Sequence, residues 1–63
     1  MNFNLATLYA VKGSTLMLPK WKGYFKWDYG KNELYFINGN YKLEWKDLKN
    51  MDIINRNDWY YIT

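Results

Sequence analysis

The stretch ELYFINGNYKLEW, residues 33–45, decides how the rest of the chain is read. Apolar and polar residues alternate on both sides of Asn38-Gly39, the period-2 pattern of strands with one buried face. Asn-Gly is the preferred pair for a two-residue type I′ turn, because both central residues need positive φ. A hairpin turning there pairs Ile37 with Asn40, Phe36 with Tyr41 and Leu34 with Leu43.

Upstream, residues 24–29 (YFKWDY) continue the alternation. The connecting turn holds Gly30, Lys31 and Asn32, and an even-length loop pairs Phe25 with Phe36 and Trp27 with Leu34. The three strands form a meander over 24–29, 33–37 and 40–45. One face then collects Phe25, Trp27, Tyr29, Leu34, Phe36, Tyr41, Leu43 and Trp45. A one-residue slip would send every member of a strand to the wrong side, so this face is assigned to the core.

The flanks are less decisive. In residues 2–13 (NFNLATLYAVKG), Phe3, Leu5, Tyr9 and Val11 share one side of a strand. Leu5, Leu8 and Tyr9 equally fit a short helix with Asn4 as N-cap and Gly13 just past its end. The β-formers Val, Thr and Tyr tilt the reading toward strand. Thr15 to Leu18 is a short extended run ended by Pro19, which cannot donate to a ladder. WKDLKN reads as a single helical turn with Leu48 inward, Met51–Ile54 as extended, NRND as a turn and WYYIT as a last strand.

The expected fold is therefore one small, mostly β domain over residues 1–63. Its element order resembles that of small five-stranded SH3-like barrels. The competing arrangement is a twisted antiparallel sheet built on the same meander, with a short N-terminal helix covering it. Sixty-three residues leave a thin stability margin, and without cysteine no disulfide adds to it. Fourteen of the residues are Phe, Trp or Tyr, which is how so short a chain can fill a dense core.

Composition also narrows function. With neither Cys nor His, the usual zinc sets and nucleophile–base pairs cannot be built, and Ser14 is the only serine. The four glycines form no phosphate loop or dinucleotide fingerprint. An enzyme is not expected, and neither is a cofactor. No apolar run approaches a membrane span, and no secretory leader is visible; a soluble cytoplasmic protein is expected. Asn, Lys, Tyr and Ile fill 27 positions, an AT-rich codon bias that hints at a low-GC bacterium or one of its phages.

The net charge of +3 is uneven: residues 1–32 carry five lysines and one acid, residues 33–63 four basic and five acidic groups. With the hairpin register above, the face opposite the core falls into three rows: Asp28, Glu33 and Glu44; Lys26, Tyr35 and Lys42; Tyr24, Ile37 and Asn40. The acidic row raises the question of a bound Mg²⁺ or Ca²⁺, although Lys26, Lys42 and Lys46 can neutralise it. The second row, with Tyr24 and the approach Lys20, Trp21 and Lys22, sets flat rings among cations, which suits stacking and phosphate neutralisation on a single strand. Tyrosine and lysine are also ordinary cross-strand partners, and Trp21 has the parity of a core residue.

The expected role is non-enzymatic binding of an acidic macromolecule, nucleic acid first, through Lys20, Trp21, Lys22, Tyr24, Lys26, Tyr35 and Lys42. The alternative is a phage- or mobile-element-encoded inhibitor docking on an acidic host protein surface, with Trp21, Trp59 or Tyr61 as anchors. A homodimer is compatible with either role.

Overall fold

The structure is a computed structural model describing residues 1–63. The elements in chain order are α1 (Phe3–Val11), β1 (Leu16–Met17), β2 (Tyr24–Asp28), β3 (Glu33–Asn38), β4 (Tyr41–Leu43), α2 (Trp45–Leu48) and β5 (Tyr60–Tyr61). The strands form one antiparallel sheet in the order β4-β3-β2-β1-β5.

The β2–β3 register is the expected one, with Phe25 opposite Phe36 and Trp27 opposite Leu34. The β3–β4 register is displaced by two residues: Asn38 pairs with Tyr41 and Phe36 with Leu43. The turn is therefore Gly39-Asn40 rather than Asn38-Gly39. Gly39 has φ +46° and Asn40 has no positive φ, the pattern of a type II′ turn with glycine first. Because the displacement is even, the inward set keeps its parity. Phe25, Leu34 and Phe36 are buried, with Trp27, Leu43 and Trp45 packed beside them.

Two tyrosines leave the expected core. Tyr29 lies beyond the end of β2 and is 65% exposed, its hydroxyl donating to the Val11 carbonyl at 2.8 Å. Tyr41 flanks the turn and is 55% exposed.

The N-terminal segment is a helix, not a strand. Asn2, not Asn4, is the cap: its side chain accepts from the Leu5 N–H at 2.9 Å. The far end closes with Ser14 N–H to the Tyr9 carbonyl (3.0 Å) and Gly13 N–H to the Ala10 carbonyl (2.9 Å), the paired bonds of a Schellman ending. Gly13 has φ +104°, which a side chain would resist. Ala6 and Ala10 are the helix's buried residues, one turn apart, and their small side chains let the helix lie close to the sheet. Leu5, Leu8 and Val11 point outward. Apolar groups on both sides of the helix explain why its period was masked in the sequence.

The sheet does not close. β4 and β5 are its two edges and do not pair, so the barrel expectation is not met and the covered open sheet is what forms. The covering layer is α1 together with residues 45–59. Leu48 is buried as expected, whereas Ile53 reaches the core from a turn and not from an extended segment. Trp59 is also buried, its ring 4.8 Å from Phe25 and 5.7 Å from Phe3. Its indole N–H donates to the Ile53 carbonyl at 3.2 Å. That burial shortens the last strand to Tyr60–Tyr61 and removes Trp59 as a docking anchor. No helix is long and apolar enough to cross a membrane.

Candidate binding surface on the uncovered sheet face

The registers of all five strands build one continuous outer face. Its first row crosses the sheet from Tyr60 through Met17, Tyr24 and Ile37 to Lys42. Met17 and Tyr24 become neighbours by continuing the Leu16–Phe25 pairing one residue. The second row holds Thr15, Lys26 and Tyr35, and the third Asp28 and Glu33. No residue in these rows is buried, in contrast to Leu16, Phe25, Leu34 and Phe36 on the other side of the same strands.

The two-residue shift of β4 rearranges the expected rows. Lys42 sits opposite Ile37 and no longer opposite Tyr35. Its ammonium nonetheless reaches diagonally over the Tyr35 ring, 4.6 Å from the centroid, a cation–π contact. Asn40 moves into the turn. Lys26 lies between Thr15 and Tyr35, and its ammonium donates to the Gly13 carbonyl (3.0 Å) and the Thr15 hydroxyl (3.3 Å). Gly13 follows α1, so this cation also lies at the negative end of the helix dipole. Lys26 thus has a structural task that the sequence did not reveal.

The acidic row assembles only in part: Asp28 and Glu33 face each other across β2 and β3, but Glu44 does not join them in a three-carboxylate group. Asp28 accepts from the Gly30 and Lys31 backbone N–H groups at 2.9 and 3.0 Å, closing the β2–β3 loop. The Lys31 N–H bond is the leading cause that holds the Asp28 carboxyl below its usual range. Glu44 is ion-paired with Lys31, whose hydrogen bond lowers the Glu44 pKa and whose own pKa Glu44 raises. No three His, Cys, Asp or Glu side chains are grouped so that they could hold a metal ion. Arg56 pairs within its own turn with Asp58, Nε to Oδ1 at 2.9 Å.

The seven expected binding residues fall on two sides. Tyr24, Lys26, Tyr35 and Lys42 share the outer face. Trp21 packs against Phe25 and Phe36 at centroid distances of 5.3 and 5.1 Å, which puts it on the core side. Lys20 and Lys22 flank it, and all three line an open cleft of about 410 Å³ with Tyr41 and Met51. Lys20 takes φ +69° to make this crossing. Met17 and Tyr60 are additions to the outer face that the sequence reading missed; the signal was the β1–β5 pairing, which no local pattern encodes. No family model, curated protein or solved structure matches the chain.

Proposed function

We propose that the protein is a non-enzymatic binding module that engages single-stranded nucleic acid on its outer sheet face. The observation that carries this reading is the face itself: Tyr24, Tyr35 and Tyr60 exposed or half-exposed on a rigid sheet, with Lys42 beside them. Tyr24 is opposite Ile37, two residues from Tyr35, so the two rings stand on a sheet diagonal roughly 7–8 Å long. Bases stack on such rings without regard to sequence, and each stack contributes about 1–3 kcal/mol. Lys42 and Lys26 supply positive charge on this face for a phosphate backbone, while the Lys20–Lys22 cleft opens on the opposite side.

Fluorescence anisotropy with short labelled oligonucleotides tests the reading. Binding is expected at low salt, with Tyr24→Ala or Tyr35→Ala weakening it about 5- to 150-fold. Lys42→Glu should weaken it and reduce the salt slope by about 0.7. Lys26 is a poor choice for this test because its loss also disturbs Gly13 and Thr15. Absence of binding to any oligonucleotide at low salt rejects the proposal.

A second reading is docking on a host protein as an inhibitor of phage or mobile-element origin. It is favoured by the exposed apolar side chains Tyr60, Tyr61 and Ile62 at one edge of the sheet and Leu5, Leu8 and Val11 on the helix. Tyr61 stacks on Tyr9 at 4.5 Å, which would present it as a rigid anchor. A lysate pull-down with nuclease treatment separates the readings: a protein band that survives nuclease favours docking. Light scattering over a concentration series tests self-pairing at the same edge.

A further inference from the structure

The inner face of the sheet is not covered to its end. On β3 and β4 the pairings Phe36–Leu43 and Asn38–Tyr41 set these four side chains on the same face as Phe25. Phe36 is buried there, whereas Tyr41, at the hairpin tip, is 55% exposed. The four residues line an open cleft of about 410 Å³, within the range of roughly 300–1,000 Å³ typical of small-molecule sites. Trp21 forms one wall, its ring edge-on to Phe36 at 5.1 Å and 82°. Met51, 45% exposed, lines the cleft from the turn after α2, and a thioether adapts to the shape it meets.

The charge at the rim is of one sign. Lys20 and Lys22 line the cleft, and no Asp or Glu does. Both lysines are exposed, and neither ammonium has a partner within the chain. The ion pairs are Lys31–Glu44 and Arg56–Asp58, and the lysine side-chain hydrogen bonds come from Lys26 and Lys31. Lys20 is also held where lysine is disfavoured. Residues 18–21 form a turn closed by the Trp21 N–H to the Leu18 carbonyl at 3.2 Å, with Pro19 second and Lys20 third at φ +69°. That is the pattern of a type II turn, whose third position favours Gly or Asn. The fold alone would be better served by Asn at this position; the lysine instead adds charge at the mouth of an apolar cleft.

We infer that this cleft binds a small amphipathic organic anion, with an apolar body against Trp21, Phe36 and Met51 and a negative head toward Lys20 and Lys22. The apolar walls favour burial of the body. The two lysines select the sign of the head, since no carboxylate in the cleft competes for them. Lysine is a flexible point charge, so it selects charge more than head-group geometry, and a carboxylate is the simplest head that satisfies it. The cleft opens on the side opposite the outer face, so the inference does not rest on nucleic-acid binding there.

The probes are 4-phenylbutyrate, its neutral counterpart 4-phenylbutyramide, and acetate, which is the head without the body. The readout is the four indole N–H signals and the Met51 methyl signal in an NMR titration of the whole protein at low salt. Phenylbutyrate should shift Trp21 and Met51 and leave Trp27, Trp45 and Trp59 in place. It should bind about 5- to 20-fold more tightly than the amide, a preference that added salt reduces, and acetate should give no saturable shift. Lys20→Asn should weaken phenylbutyrate about 2- to 5-fold and leave the amide unchanged, while urea unfolding shows the variant at least as stable as the parent. A lysine that served only the turn would show no such split between charged and neutral probes. Equal affinity for phenylbutyrate and its amide would reduce the site to an apolar groove and overturn the proposal. So would acetate binding as tightly as phenylbutyrate, or phenylbutyrate leaving Trp21 unmoved. These three comparisons use the unaltered protein, so the outcome does not depend on whether a variant folds.

Discussion

Phe25 and Lys26 are neighbours on β2, yet they lie in different worlds. Phe25 is fully buried against Trp21, Phe36 and Trp59. Lys26 stands on the outer face with Tyr24 and Tyr35, where nothing is buried. The covered face is fixed by volume, because every group there has a packed partner whose loss leaves a cavity. The outer face is fixed only by strand propensity and a few polar contacts, so stability alone does not require its aromatic content. Rings on the first face explain the fold, and rings on the second carry the proposed binding surface.

The largest expected effect breaks the first face. Phe25→Ala should cost about 3–5 kcal/mol. A 63-residue domain has roughly 3–9 kcal/mol in total, so this variant should be largely unfolded or close to it. Tyr24→Ala, one residue away and 42% exposed, should cost less than ~1 kcal/mol. Urea unfolding followed by tryptophan fluorescence measures both. Similar costs at the two positions would mean that the outer face is covered in solution.

A smaller effect comes from the backbone that lets the chain enter the sheet. Gly23 has φ +147°, and a Cβ there would meet the Ile37 carbonyl oxygen at 2.5 Å and the Phe36 ring at 2.6 Å. Gly23→Ala should lower stability by about 2–4 kcal/mol, combining backbone strain with displacement of a core ring. Gly39→Ala meets nothing within 4 Å and carries only the left-handed strain, about 1–2 kcal/mol. Equal losses would show that strain alone governs both sites.

At the helix that covers the sheet, Asn2→Ala removes the acceptor for the Leu5 N–H and should cost about 1 kcal/mol. Asn4→Ala should cost far less, since Asn4 is exposed inside the first turn and caps nothing. The pair sharpens the assignment of the cap, and thermal unfolding by circular dichroism resolves it.

The contrast between faces also accounts for what the sequence did and did not disclose. The β2–β3 register was readable because Phe25, Trp27, Leu34 and Phe36 agree only when paired as they are. The β3–β4 register was not, because Asn38-Gly39 and Gly39-Asn40, one residue apart, both make good two-residue turns, and the pairings they set differ by two residues, which leaves parity unchanged. Side-chain alternation cannot distinguish them. The helix was obscured by Leu5, Leu8 and Val11 on its exposed side, while its buried contacts, Ala6 and Ala10, carry a weak apolar signal. Of the candidate site, Tyr24, Lys26, Tyr35 and Lys42 were legible from parity. The crossing of Lys20–Lys22 to the other side, and the arrival of Met17 and Tyr60, depend on chain path and on long-range pairing.

The smallest expected effect concerns the acidic end of the outer face, where the groups are exposed and screened. Lys31 holds the Glu44 pKa below its usual value, so the folded pKa lies under the unfolded one of about 4.3. Such a carboxylate contributes its stabilisation above the unfolded pKa and loses it as pH falls through the folded value. Lys31→Met should therefore leave stability near neutrality almost unchanged, as exposed pairs usually do. It should also return the Glu44 titration toward the ordinary carboxylate range, read from side-chain carboxyl NMR shifts between about pH 2 and 7. Asp58, lowered by its hydrogen bond from Arg56 in a separate turn, should titrate as before and serves as the internal control. Asp28 separates two causes. Its leading support is the Lys31 backbone N–H, which the substitution keeps, so its titration should move far less than that of Glu44. Equal movement of Asp28 and Glu44 would mean that the loop itself had come apart, and that the pair organises this end of the sheet rather than decorating it.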